Sequence, residues 1–134
     1  MSGTEIMRAT LLSGQTLLAL VPGDRIKTGD LPEGIALPAI ALTEVSWTPR
    51  RPLKAGPSRH VAERVQVTVH AQDYPQLKAV QRAVLAAADA IFPEIEGFLR
   101  VTVHADSSGP AFKNPLTNVH IGSHDFRVTY SEQR

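Results

Sequence analysis

The sequence predicts an α+β domain: a largely antiparallel four-stranded sheet covered by two helices, in the order α-β-β-α-β-β. Four segments alternate apolar and polar residues with a period of two, and two others carry apolar residues at helical spacing. Proline and glycine cluster in the connectors between them, where they punctuate rather than interrupt the pattern. The 134 residues are read as one domain, 1–134, large enough to bury a core.

The first element is a helix over about Thr4–Leu20, with Met7, Leu11 and Leu18 on one stripe and Gly14 on the same side. Glycine in a helix interior costs about 1 kcal/mol against alanine, so Gly14 marks either close packing or a kink. Val21-Pro22-Gly23-Asp24 ends the helix, and Arg25–Leu37 forms a connector with a short extended piece at Ile26. A strand follows over Ala39–Trp47, where Ile40 and Leu42 alternate with Ala41 and Thr43 behind Pro38. Residues 48–60 carry Pro49, Pro52, Gly56 and Pro57 and read as a long exposed loop between antiparallel strands.

The centre of the chain is the unit Val61–Ile91. Val61, Glu63, Val65, Val67 and Val69 alternate with Ala62, Arg64, Gln66, Thr68 and His70, the pattern of a strand with one buried face. Asp73 offers an N-cap, Pro75 lies in the first turn, and no breaker intervenes before Ile91. Leu77, Val80, Val84, Ala87 and Ile91 form one helical stripe; Ala79, Ala83, Ala86 and Ala90 form a second beside it. Together they span about 200°, wider than a helix covered on one side needs. The helix is therefore expected to meet its own sheet and either a second element or a neighbouring subunit. Ala79, Ala83, Ala86 and Ala90, with Leu85 on the polar arc, are the candidate subunit interface.

Beyond Phe92-Pro93 and Gly97, a third strand alternates Leu99, Val101, Val103 and Ala105 with Arg100, Thr102 and His104. Residues 106–117 form a second long, turn-rich loop. The last strand, about Val119–Tyr130, changes its apolar parity beside Gly122, which suggests a β-bulge or a bend.

Composition bounds the function. Hydrophobic content of 43% and charged content of 20% are those of an ordinary soluble globular protein. A net charge of +1 excludes binding of nucleic acid by overall charge, so any such contact needs a local patch. One exists: Arg50, Arg51, Lys54 and Arg59 can meet a phosphate backbone or an acidic protein rim, or simply be solvated. With aromatics at 5% and no ring at strand positions Val65–Val69 or Val101–Val103, an RNA-stacking sheet is disfavoured. The absence of cysteine excludes disulfides, thiolate metal sites and a cysteine nucleophile. No apolar run approaches the ~18 residues of a membrane span, and the first residues lack the basic and apolar regions of a signal peptide.

No catalytic residue, metal site or cofactor is assigned. His70 and His104 lie on the polar faces of their strands. His120 and His124 are four apart, about 13 Å along a strand, and no carboxylate has the spacing to complete a metal site with them. His104, Asp106, Ser107 and Ser108 are neighbours in sequence, but the strained Gly-x-Ser-x-Gly turn of a hydrolase is missing, as is any phosphate-cradling glycine loop.

The ordered set of segments resembles the tail-completion or tail-terminator family of long-tailed phages, prophages and gene transfer agents. Leu11-Leu12 through Leu17-Leu18-Ala19-Leu20-Val21-Pro22-Gly23-Asp24-Arg25-Ile26 is similar to the family's opening helix and its Gly-Asp-Arg-Ile turn. Leu37-Pro38-Ala39-Ile40-Ala41-Leu42 resembles its first strand, Arg64–Ala71 with the alanine-rich helix its middle, and Asp125-Phe126-Arg127-Val128-Thr129-Tyr130 its closing strand. The 106–117 segment carries no family signature.

The resemblance implies a structural virion protein without catalysis. It forms a homo-oligomeric ring, commonly a hexamer, at the head-proximal end of the tail tube. Its partners are the major tail tube protein and the head-completion or connector protein, DNA only passes through the channel, and no membrane is involved. Assembly takes place in the bacterial host cytoplasm, and the destination is the head–tail junction of the virion. Two other readings stay open on the residues alone. One is a small metal-dependent or acid/base enzyme using the histidine-bearing sheet face, and the other a nucleic-acid-binding module using loop 50–59.

Overall fold

The computed structural model describes residues 2–32, 34–50, 58–89 and 98–133. Among these residues, three helices pack on one side of a six-stranded sheet. The order along the chain is α1 (Ser2–Leu12), α2 (Gln15–Leu20), a 3-10 turn (Gly23–Arg25), β1 (Ile26–Thr28), β2 (Ala39–Arg50), β3 (Ser58–Ala71), α3 (Tyr74–Ala88), β4 (Leu99–Ser108), β5 (Phe112–Lys113) and β6 (His120–Gln133). The expected four strands and two helices thus become six and three. The α+β class holds.

Across the sheet the strands lie β1-β2-β3-β6-β4, with β5 also paired to β6. β1 runs parallel to β2; every other pair is antiparallel. Since β3 and β4 are both antiparallel to β6, they are parallel to each other, and α3 is the crossover between them. A crossover helix covers the face it passes over, so the helices gather on one side and leave the other open.

The expected first helix is two. The chain leaves helical geometry at Ser13 and Gly14, where Ser13 Oγ donates to Thr10 O (2.7 Å) and Gly14 N–H to Leu11 O (3.0 Å). The break resets the helical phase, so Leu17, not Leu18, joins Ile6, Met7 and Leu11 in the core. Close packing explains the glycine as well: a Cβ at Gly14 would sit 2.8 Å from Cβ of Ala87. The hydroxyl of buried Thr10 is satisfied by Ile6 O (2.8 Å). Arg8 then ties α1 to the following turn, its Nε donating to Ile26 O at 3.0 Å.

Glu63 is a charged residue on the buried parity of β3, at 2% exposure. It accepts a hydrogen bond from the Tyr130 hydroxyl (3.3 Å) and lies against the first turn of α1, where a Cβ on Gly3 would come within 2.0 Å of its Oε2. A helix N-terminus presents unpaired N–H groups and the positive end of its dipole, a setting in which a buried carboxylate is tolerated.

The strand–helix unit at the centre follows its sequence closely. Val61, Val65, Val67, Val69 and Ala71 are buried under the helices. The Asp73 carboxylate accepts Gln76 N–H (2.8 Å), and Gln76 Oε1 accepts Gln72 N–H (2.7 Å), a reciprocal cap. At its other end the C-cap Asp89 accepts the N–H of Ala105 (2.9 Å), pinning the end of α3 to β4.

Three further expectations change. The 48–60 loop is shorter, because β2 continues to Arg50 and β3 begins at Ser58, with Arg50 paired to His60; residues 51–57 lie outside the described residues. The 106–117 loop is shortened by β4, which reaches Ser108, and by β5. There is no bulge at Gly122: the β3–β6 register is continuous from Ser58↔Gln133 to Ala71↔His120. Gly122 shares the helix-facing parity of Phe126, Val128 and Tyr130, and it is glycine because α3 presses there, with Gln81 Nε2 only 2.4 Å from where a Cβ would be. Ile121 belongs to the opposite face, which is why apolar residues seem to switch parity. The register shifts fall instead at Glu44/Ser46 in β2 and at Leu99/Thr102 and Ala105/Ser107 in β4.

The α2–α3 contact yields a test. Gly14→Ala should destabilise the protein by about 1–3 kcal/mol through overpacking against Ala87. Adding Ala87→Gly should recover part of that loss, despite its own helix penalty of about 1 kcal/mol. Urea denaturation of the four members of this cycle measures the coupling, and strict additivity would refute the contact.

Candidate interaction surfaces

The second stripe of α3 is used mostly inside the subunit. Ala83 is buried in the core and Ala79 is half-buried, while Ala87 of the first stripe meets Gly14. The second element that the wide apolar arc called for is the α1–α2 pair. Leu85 is half-buried against the core, and Ala86 alone of the described set is exposed. Ala90 lies outside the described residues.

Of the basic group, Arg50 sits near the end of β2 opposite His60, and Arg59 on β3 opposite Glu132. They belong to paired strands, not to a loop. Arg51 and Lys54 lie outside the described residues.

The open sheet face is polar. The register aligns Thr43, Gln66, Asp125 and Ser107 in one row, and Ser46, Arg64, Arg127 and His104 in the next. Thr102 and Thr129 share a hydroxyl–hydroxyl hydrogen bond in the row after that. Arg64 reaches over β6 to Asp106 in an ion pair of 2.6 Å; this hydrogen bond and the carboxylate's charge raise the pKa of the guanidinium further. Ser107 Oγ donates to Asp125 Oδ2 at 3.4 Å. Such exposed pairs contribute little stability, but they decide which charges are left over.

At the other end of this face an apolar cavity of about 380 Å³ opens between Leu31, Ile35 and Leu37 on one side and the turn after β5 on the other, with His70, Val119 and Ile121 in its lining. The turn itself is firmly built. Asn114 Oδ1 accepts Leu116 N–H (2.9 Å), Asn114 O accepts Asn118 N–H (2.8 Å), and Asn118 takes the left-handed conformation that asparagine tolerates (φ 59°). It presents Leu116 to solvent at 92% exposure, with Phe112 on β5 also exposed.

The histidines divide between the faces. His70 and His104 are on the open face; His124 is on the helix-facing parity opposite Val67. Among the described residues no three His, Asp or Glu side chains converge as metal ligands would. Burial lowers the pKa of His70. For His124, burial and then the ammonium of Lys78 lower it against an opposing pull from Asp125. Its Nε2 is buried without a hydrogen-bond partner among the described residues.

The Arg64–Arg127 row, the apolar cavity and the Leu116 knob were not singled out from the sequence. Arg64 and Arg127 each stood on a polar strand parity, but their adjacency depends on a register between segments more than sixty residues apart. Leu116 carried a local signal, a lone apolar residue between Pro115 and Asn118 in a turn.

A one-layer helix cover, an open polar sheet face and apolar knobs on ordered turns give this domain several separate surfaces for contacts. The model of the tail completion protein gp17 family matches residues 5–131, and the chain belongs to that family. The fold is similar to that of a chain in the virion of a native gene transfer agent particle, with a TM-score of 0.73 and 16% identity over 93% of this chain and 91% of that one. None of the curated proteins compared matches the sequence. The chain is a structural tail protein of the virion.

The histidine shifts carry a prediction with a defined sign. The native state holds both imidazoles neutral below their ordinary pKa of 6.5, whereas the unfolded chain takes up protons near it. Their contribution to stability is therefore complete above that value and is lost as pH falls through it towards the depressed native pKa values. The midpoint of thermal unfolding should fall between about pH 7 and pH 5, and His124→Gln should flatten that fall. An unchanged slope in the variant would remove His124 from the account.

Proposed function

We propose that this chain closes into a ring on the head-proximal end of the tail tube, ends tube polymerisation there, and offers the surface to which the filled head is joined. Membership of the tail completion family over residues 5–131 is the observation that carries this reading. The partners that follow are further copies of the chain, commonly six in all, the tube protein on one side and the head-completion protein on the other. DNA passes through the channel. Assembly takes place in the host cytoplasm before the virion is complete. Catalysis has no part in this role.

The surfaces suit such a ring. A ring needs head-to-tail contacts, in which two different patches of one subunit meet the corresponding patches of its neighbours. The exposed side of α3 around Ala86, flanked by Ala79 and Leu85, is one patch for the subunit interface; Ala83, which the sequence also placed there, belongs to the core. The paired ends of β2 and β3, with Arg50 and Arg59, together with Arg51 and Lys54 of the segment that joins them, offer a partner-docking rim or a DNA contact.

Two experiments test this. Removing the gene from the element that encodes it should give tails of uneven, extended length without heads, and restoring it should correct both. Uniform, head-joined tails in its absence would contradict the reading. Ala86→Arg should leave subunit stability within about 0.5 kcal/mol, since the site is exposed, yet abolish higher-order species in light scattering with tube protein present. Unimpaired assembly would move the interface off α3.

A further inference from the structure

We propose that the open sheet face carries a phosphate-binding site built on Arg127, Arg64 and Ser46, and that its occupant is the backbone phosphate of duplex DNA. The choice of DNA rests on the tail-channel reading above; the site itself rests on geometry. The register places Arg64 directly opposite Arg127, and Ser46 directly opposite Arg64. Like charges facing each other on one side of a strand pair are unfavourable, so their retention calls for an anion. Of the two carboxylates on this face, Asp106 pairs with Arg64, and Asp125 accepts from Ser107 in the neighbouring row and also acts on the charge of Arg64, so both are directed to Arg64. Arg127 is exposed and has no acceptor among the described residues.

A cavity of about 170 Å³ lies between these groups, lined by Ser46, Ala62, Glu63, Arg64 and Arg127. Glu63 turns its side chain to the helices, so the groups that face the cavity with polar side chains are the hydroxyl and the two guanidiniums. Ser46 is there because of the register shift after Glu44, the kind of irregularity that re-aims a side chain. Two planar guanidinium forks and a hydroxyl offer donors to a tetrahedral oxyanion, the arrangement in which arginine outperforms lysine. Four residues further along β2 is Arg50, on the same strand parity as Ser46 and about 13 Å away along the strand. Cations repeated in one direction suit a polymer of phosphates better than a single small anion.

The test uses the purified full chain, a labelled short DNA duplex titrated across a salt series, and inorganic phosphate followed by NMR of the arginine side chains. Arg127→Ala should weaken duplex binding about fivefold at ~50 mM salt and lower the salt slope by about 0.9, one phosphate contact. Phosphate should shift the Arg127 and Arg64 resonances only weakly. Equal affinity and slope in Arg127→Ala, or loss of binding only when Arg50 and Arg59 are replaced, would overturn the site. Tight binding of inorganic phosphate without binding of the duplex would overturn the assignment of DNA. Thermal melts confirm that the variant is folded, and light scattering with tube protein is run on the same samples. Failure of wild-type assembly alongside intact duplex binding would sink the ring reading and leave the phosphate site standing.

Discussion

Strands β3 and β4 are joined through α3 and run parallel, but they do not pair with each other; each is hydrogen-bonded to β6, which lies between them. The sheet is thus complete only when the final strand has been inserted. Phe126, Val128 and Tyr130 from β6 then fill the centre of the core, against Val65 and Val61 on one side and Val103 on the other. Gly122 on the same strand lets α3 approach until Gln81 rests on the backbone. Sheet continuity, helix docking and core filling all converge on one strand. Its pairing spans long sequence separations, so its closure entropy must be met before any of those contacts is gained.

This topology also determines where function can lie. A single crossover helix with α1 and α2 beside it covers one sheet face, and nothing among the described residues covers the other. The helix side consumes its small residues internally, with Gly14 on Ala87 and Ala83 in the core. What remains for partners is Ala86, the strand ends around Arg50 and Arg59, the Leu116 turn and the charged rows of the open face. A tail protein that has to meet its own copies, a tube and a head needs several separate surfaces on one small domain, and a one-sided α+β sheet supplies them.

Much of this was legible in the sequence because it is local. The alternation over Val61–Val69, the Asp73 cap and the stripe from Leu77 to Val84 depend on neighbours within a few residues, and all hold. The single helix over Thr4–Leu20 failed because Ser13 and Gly14 break it, and that break moves burial from Leu18 to Leu17. The parity change at Gly122 was a real signal with another cause: Ile121 lines a cavity on the open face, while Gly122 accommodates α3. The extra strands β1 and β5 are three and two residues long and exist only by pairing with β2 and β6, so no period could announce them. The Arg64–Arg127 row shares that character. Each arginine looked merely solvated until the register placed them opposite each other.

The place of this chain in the virion can be seen directly. Electron microscopy of purified virions carrying a labelled copy of this chain should show label at one end of the tail tube only, next to the head, in a number that matches a single ring. Label spread along the tube, or confined to the end far from the head, would contradict the account.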